Sequence, residues 1–246
     1  MTKMLENELA WIKETFKKTG QKIAVIGISG GKDSSVVAAL CAAALGKENV
    51  FGVLMPCGEQ KDISDSLQLV NHLGIKYTTV NIGDTFNTLC NAINLGAELT
   101  YDTKTNLPAR LRMSTLYAVA QTIGGFVANT CNLSEDIVGY ATLYGDNAGS
   151  FAPLSRLTTE EIVALGDELG LPYNLTHKIP VDGLQPKTDE DKLGFTYHEV
   201  NELVRKGVRG PNYEKIMKMY RANKFKTEIV RIPYFDPHLP NVIDTI

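Results

Sequence analysis

The sequence predicts an α/β fold, a doubly wound parallel β-sheet with helices on both faces. Three observations carry the prediction. Apolar or β-branched runs at residues 23–26, 50–55, 76–82 and 126–130 have the length and composition of strands. Amphipathic or Ala-rich segments of helical length separate them, and such alternation implies parallel pairing through crossover helices. The first run ends in a glycine-rich turn directly before a helical segment. In sheets of this kind, ligands bind beyond the carboxyl ends of the strands.

In chain order, Leu5, Leu9, Ile12 and Phe16 recur at helical spacing, giving an amphipathic helix over residues 3–18 that Gly20 closes. The first strand, the glycine turn and an Ala/Val/Leu-rich helix to residue 45 follow. A second strand covers 50–55, with Pro56-Cys57-Gly58-Glu59-Gln60 as the turn at its end. Asp62 or Ser64 is placed to cap a helix through residue 72, stopped by Gly74. Residues 76–82 form the third strand and 84–95 the third helix. Residues 96–107 are polar and read as a connection; a helix over 109–123 then turns Leu111, Leu116, Val119 and Ala120 inward and ends at Gly124-Gly125. The fourth strand spans 126–130, Ser134 starts a short helix, and 140–156 is a long loop. Thr158-Thr159-Glu160-Glu161 is a capping box for a helix that stops at Gly170. Regularity is lost over 171–191. Thr196-Tyr197-His198-Glu199 opens another helix and Pro211 a last one to about residue 222, followed by an extended, proline-bearing tail.

Length and composition set limits. With 246 residues, 43% hydrophobic and 22% charged, the chain is expected to form a single α/β domain over residues 1–246. A formal charge of −3 argues against nucleic acid or an anionic membrane surface as partner. Cys41, Cys57, Cys90 and Cys131 contain no Cys-x-x-Cys pair, so neither a zinc site nor a disulfide framework is expected. Cys57, after Pro56 at a strand end, is the one thiol expected to be exposed. His72, His177, His198 and His238 show no metal-binding spacing. No run reaches the ~18 apolar residues of a membrane span, and no signal peptide is visible, so a cytoplasmic location is expected.

The chemistry starts at Gly27-Ile28-Ser29-Gly30-Gly31-Lys32-Asp33-Ser34. Glycines allow close backbone approach to an anion, unpaired N–H groups point at it, and the helix dipole favours negative charge. A Walker A loop would need Ser or Thr after Lys32, where Asp33 stands; a dinucleotide fingerprint would need glycine at Ser29. The Ser-Gly-Gly-x-Asp-Ser pattern resembles instead the pyrophosphate loop of the ATP-pyrophosphatase superfamily, whose members cleave ATP between the α and β phosphates. Read without the resemblance, the same stretch is an ordinary glycine turn.

Later motifs narrow the resemblance. Asn106-Leu107-Pro108-Ala109-Arg110-Leu111-Arg112-Met113 is similar to a helix of the NAD synthetases, and Asn129-Thr130-Cys131-Asn132-Leu133-Ser134-Glu135 to that family's strand-to-helix turn. Gly139-Tyr140, Tyr144-Gly145-Asp146, Pro153-Leu154, Lys178-x-Pro180-x-x-Gly183-Leu184 and Thr188-Asp189-Glu190 follow in the family's order. The resemblance implies that nicotinic acid adenine dinucleotide, ATP and ammonia are converted into NAD, AMP and pyrophosphate through an acyl adenylate. It implies that Gly27 to Ser34 and Thr130 bind ATP, and that Asp33 and Glu135 hold Mg²⁺. Arg110, Phe225 and Lys226 fall where the family binds the dinucleotide, Phe225 standing in for a histidine. Lys178 and Asp146 are the catalytic candidates. A homodimer is implied, as is direct use of ammonia, with no glutaminase domain.

The chain departs from the family at Leu143 (commonly Lys), Ser150 (Asp), Thr159 (Lys) and Val181 (Ser or Thr), which thins the charge around both ligands. Two other readings compete: a different pyrophosphate-loop ligase, such as a tRNA-modifying enzyme, and a nucleotide-binding module without catalysis. The first lacks a basic RNA surface; the four departures are the only support for the second.

Overall fold

The computed structural model describes residues 1–60, 62–178, 188–229, 234–240 and 243. Helix α1 (Lys3–Thr19) leads into β1 (Ile23–Gly27) and α2 (Lys32–Leu45), followed by β2 (Val50–Leu54), α3 (Ile63–Leu73), β3 (Lys76–Thr79) and α4 (Gly83–Ala92). Then come α5 (Tyr101–Ile123), β4 (Gly125–Val127), α6 (Leu133–Val138) and α7 (Thr159–Glu168). Short α8 (Tyr173–Thr176) and α9 (Asp189–Leu193) precede α10 (Tyr197–Lys206), α11 (Tyr213–Asn223) and α12 (Phe225–Ile229).

The sheet is parallel throughout, in the order β3-β2-β1-β4. Strands β1 to β3 run outward in one direction and β4 joins the opposite side of β1. The order therefore reverses between β1 and β4, and the crevice above that point is where such sheets take their ligands. Both faces are covered. On one, Ile12 and Phe16 of α1, Val36 and Leu40 of α2, Leu69 of α3 and Leu165 of α7 bury Ile26 and Leu54. On the other, Val25, Val53 and Val127 meet Ala120 and Leu116 of α5. Burial along most of β1 and β2 explains why those two runs are apolar and do not alternate, whereas β3, at the sheet edge, is largely exposed and reads Lys-Tyr-Thr-Thr. A third cluster joins Ile137 and Val138 of α6 to Val200 and Leu203 of α10 and Ile216 of α11.

Several expected boundaries move. The segment 96–107 is no simple connection, because α5 starts at Tyr101 and runs through Pro108. Thr100 caps it by accepting from Thr103 N, and the side chains of Thr105 and Asn106 donate to the carbonyls of Tyr101 and Asp102. One missing N–H inside a capped helix of 23 residues is a local loss that the surrounding turns outweigh. The fourth strand ends at Val127, where the chain changes partner. Ala128 N still bonds Val25 O, but Asn129 N bonds Phe151 O. The third strand is assigned only to Thr79, yet Val80 N and Ile82 N continue its pairing with Leu54 O and Pro56 O. Residues 171–191 hold α8 and α9, the latter opened by a capping box from Thr188 to Asp191. The tail begins as helix α12.

Candidate active site

The turn after β1 is held by its own hydroxyls. Ser29 Oγ accepts from Gly31 N at 3.2 Å, Ser34 Oγ accepts from Ser29 N at 3.3 Å, and the two hydroxyls share a hydrogen bond of 2.9 Å. Ser35 Oγ donates to Gly31 O at 2.7 Å. Gly30 has φ +77°, and a Cβ there would stand 2.8 Å from Asp65 Cβ and from Ser66 N, so conformation and space both demand glycine. Gly31 is the cap residue of α2 and supplies no side-chain cap. Among the described residues no side-chain oxygen takes up the N–H groups of Lys32 and Asp33, and an anion at that end would.

The turn after β4 lies beside it. Asn132 is the N-cap of α6, its Oδ1 accepting from Glu135 N at 3.0 Å, while its Nδ2 donates to Asp33 Oδ1 at 3.0 Å. Asp33 Oδ2 in turn accepts from Lys32 Nζ at 2.9 Å. Asp33 and Glu135, expected as a pair from two strand ends, are thus brought to one crevice. Burial and then Asp33 push the Glu135 carboxyl well above its ordinary range, against the pull of Lys32. Burial alone would lower the Lys32 ammonium, but Asp33, Glu135 and Asp189 outweigh it and raise its pKa. Three carboxyl groups, of Asp33, Glu135 and Asp189, face one ammonium. Tyr140 donates to Asp189 Oδ1 at 2.9 Å, and among the described residues the buried hydroxyl of Tyr197 has no partner. Hard carboxylate oxygens fit Mg²⁺, which is commonly held by one or two carboxylates plus phosphate oxygens. Among the described residues no three His, Cys, Asp or Glu side chains converge to hold a metal by themselves.

A second group of expected residues gathers at the loop after α6. Arg110 Nε donates to Leu143 O at 3.2 Å, and Lys226 Nζ donates to Gly139 O at 2.7 Å and Ala141 O at 3.0 Å. Asp146 Oδ1 accepts from Thr142 N at 2.6 Å, and Thr142 Oγ1 donates to Asn106 Oδ1 at 2.7 Å. Arg110 of α5 and Lys226 of α12 therefore brace one loop that Asp146 closes from within, with Phe225 exposed next to Lys226. Burial raises the Asp146 carboxyl and lowers the Lys226 ammonium. Asp136, beside Asp146, is pushed up to about 7 by burial first and Asp146 second. Along the chain Thr130 lies between Asn129, whose Nδ2 donates to Asp146 O, and Asn132, whose Nδ2 donates to Asp33.

Lys178 stands apart from Asp146, on the α3 side of the phosphate loop. It bonds Asp62 and Asp65 at the start of α3, whose Asp65 Cβ abuts Gly30. Asp62 occupies the cap position of α3 but makes no cap bond with its side chain, because its carboxylate faces Lys178 and Gln60. Thr159, where the family commonly carries Lys, is tied inward. Its N–H donates to Ser134 Oγ at 3.1 Å and its Oγ1 accepts from Asn201 Nδ2 at 3.1 Å. Val181, Pro180, Gly183 and Leu184 lie outside the described residues. Cys57 is half-buried, as is Cys90; Cys41 and Cys131 are buried. Sequence reasoning did not single out Asn132, Asp62, Asp65, Asp189 or Tyr197 as site residues. Only Asn132 carried a usable signal, an Asn three residues before an acidic helix start.

Comparisons with known proteins agree with this geometry. The family model described as NAD synthase matches residues 4–230. An NH(3)-dependent NAD(+) synthetase of Alkaliphilus metalliredigens is 36% identical, over 97% of this chain and 98% of that protein. Among solved structures, NMN synthetase from Francisella tularensis is 30% identical with a TM-score of 0.85, covering 94% of this chain and 98% of that one. The NH3-dependent NAD synthetase of Campylobacter jejuni is 31% identical with a TM-score of 0.76, covering 94% and 97%.

Proposed function

The chain belongs to the NAD synthase family, and from that premise we propose that it is an ammonia-dependent ligase that amidates nicotinic acid adenine dinucleotide to NAD at the expense of ATP. The observation that carries the reading is the meeting of Asp33 and Glu135 through Asn132 at the switch point of the sheet, directly above the phosphate loop. A carboxylate is a poor electrophile, so its oxygen first attacks the α phosphorus of ATP. The bond to the β-phosphate oxygen breaks, pyrophosphate leaves with the electron pair, and an acyl adenylate remains. Ammonia then attacks the acyl carbon, AMP departs and a proton is released.

The residues divide these tasks. Backbone N–H groups of Lys32 and Asp33 receive phosphate oxygens, and the Lys32 side chain stays charged beside them. Asp33 and Glu135 would hold Mg²⁺, which supplies neutralisation of phosphate charge when bound. Arg110, Phe225 and Lys226 receive the nucleotide acid at the loop after α6, and Asp146 anchors that loop beside the reacting carboxylate. The chain works as one ligase unit on free ammonia, as a homodimer in the cytoplasm. No helix among the described residues is long and apolar enough to cross a membrane.

The test is incubation of purified protein with ATP, Mg²⁺, the acid dinucleotide and either ammonium or glutamine. NAD and AMP formed together, with ammonium only, are expected; ATP binding without turnover would favour the non-catalytic reading. A second acceptor is favoured by one observation. The backbone likeness to NMN synthetase exceeds that to the Campylobacter jejuni NAD synthetase at similar coverage. Leu143 and Ser150, which lack the family's charges, fit an acid mononucleotide with less to hold. Comparing kcat/KM for the acid mononucleotide and dinucleotide side by side decides between the two acceptors.

A further inference from the structure

Two carboxylates of one helix end hold a lysine next to the phosphate loop. Lys178 Nζ lies 2.8 Å from Asp62 Oδ2 and 2.6 Å from Asp65 Oδ2. Gln60 Nε2 donates to the other oxygen of Asp62 at 3.0 Å. The first turn of α3 is itself pressed against the loop. The Cβ of Asp65 and the N of Ser66 stand 2.8 Å from where Gly30 would carry a Cβ, and the buried Ser66 Oγ donates to Ile28 O at 3.2 Å. Asp65 thus abuts the loop with its own Cβ and holds Lys178 with its carboxylate. Paired carboxylates are more than a partly exposed ion pair needs for stability, where such pairs contribute little. Their effect is to fix a flexible four-carbon side chain in one position before a ligand arrives. An ammonium has three N–H donors, and the carboxylates occupy two.

We infer that Asp62 and Asp65 are positioning residues that hold Lys178 as the cation for the pyrophosphate half of ATP, its third N–H directed to a β- or γ-phosphate oxygen. This rests on the reading of the site as an ATP-cleaving ligase. Lys178 gives up no proton in the step. It absorbs part of the charge that develops on the leaving group as the bond between the α phosphorus and the bridging oxygen breaks. Burial would lower its pKa, but Asp62 and Asp65 more than offset this, so it stays an ammonium at neutral pH.

The experiment is calorimetric titration of the wild type, K178M, K178R and D65N with pyrophosphate and with AMP, Mg²⁺ present, alongside thermal melts. K178M is expected to weaken pyrophosphate at least tenfold and AMP less than twofold, with K178R recovering part of the loss. D65N should fall between wild type and K178M, and should add nothing in a K178M background. In steady state the KM for ATP should rise while the KM for the nucleotide acid holds. Should K178M not fold, D65N carries the same comparison with Lys178 intact. Pyrophosphate bound by K178M or D65N as tightly as by wild type, whatever the change in melting temperature, overturns the inference. Wild-type protein that binds neither pyrophosphate nor AMP overturns the ligase reading itself.

Discussion

Asn132 and Asp33 stand 99 residues apart in sequence and 3.0 Å apart in space, the Asn132 amide donating to the carboxylate that follows the phosphate loop. The same side chain caps α6 through Glu135 N. One residue therefore ties the Asp33 carboxylate to the helix turn that carries Glu135. N132S keeps a cap oxygen but cannot reach Asp33. Stability should fall by about 1.5–3 kcal/mol for the lost bond to a carboxylate, with little further loss from the retained cap, while the Mg²⁺ concentration for half-maximal turnover should rise several-fold. A melt and a Mg²⁺ titration on the same protein separate the two effects; an unchanged Mg²⁺ requirement would remove Asn132 from the site.

Asp33 and Glu135 are each expected to cost orders of magnitude in turnover when replaced. For E135Q the loss should be about a hundredfold or more, without loss of fold. Burial and Asp33 disfavour the charged form of Glu135, so a neutral amide there should leave the ligand-free protein as stable or more stable. Near-normal turnover at limiting Mg²⁺ would take Glu135 out of the metal site.

Lys226 donates to the carbonyls of Gly139 and Ala141. Hydrogen bonds to a charged donor contribute about 1.5–3 kcal/mol, and both hold the loop that Arg110 and Asp146 also brace. K226M should therefore raise the KM for the nucleotide acid by tenfold or more and lower the melting temperature. The KM for ATP should stay within twofold, which steady-state kinetics with each substrate varied in turn would check.

Glu8 is buried in α1 beside Cys41 of α2, and among the described residues neither of its carboxylate oxygens has a partner. Burial pushes its pKa up from 4.5 to about 8. The folded state holds this proton more tightly than the unfolded chain. The contribution to stability is therefore complete below about pH 4.5 and is lost as pH rises towards 8, by roughly 1.4 kcal/mol per pH unit. E8L should stabilise the protein, by more at pH 8 than at pH 5. A parallel pH dependence in both proteins would show that Glu8 is not the group responsible.

The elements whose cause is local could be read from the residues alone. The apolar runs of β1 and β2, glycines at helix ends, the Thr158 capping box and the glycine turn with Asp33 were legible because each rests on residues within a few positions of one another. The motif order also led to the family and to the pairing of Asp33 with Glu135. The start of α5 escaped because a polar, proline-bearing stretch has weak local preference, and its cap at Thr100 shows only once the helix is formed. Tertiary structure decided the rest. It set Asp62 and Asp65 against Lys178, turned Thr159 inward to Asn201, and closed Asn132 onto Asp33. These side chains each had a sufficient local role, as cap, helix charge or surface lysine. What they bond instead depends on which strand ends and helix starts the parallel sheet brings together, and that is set by the packing of the whole chain.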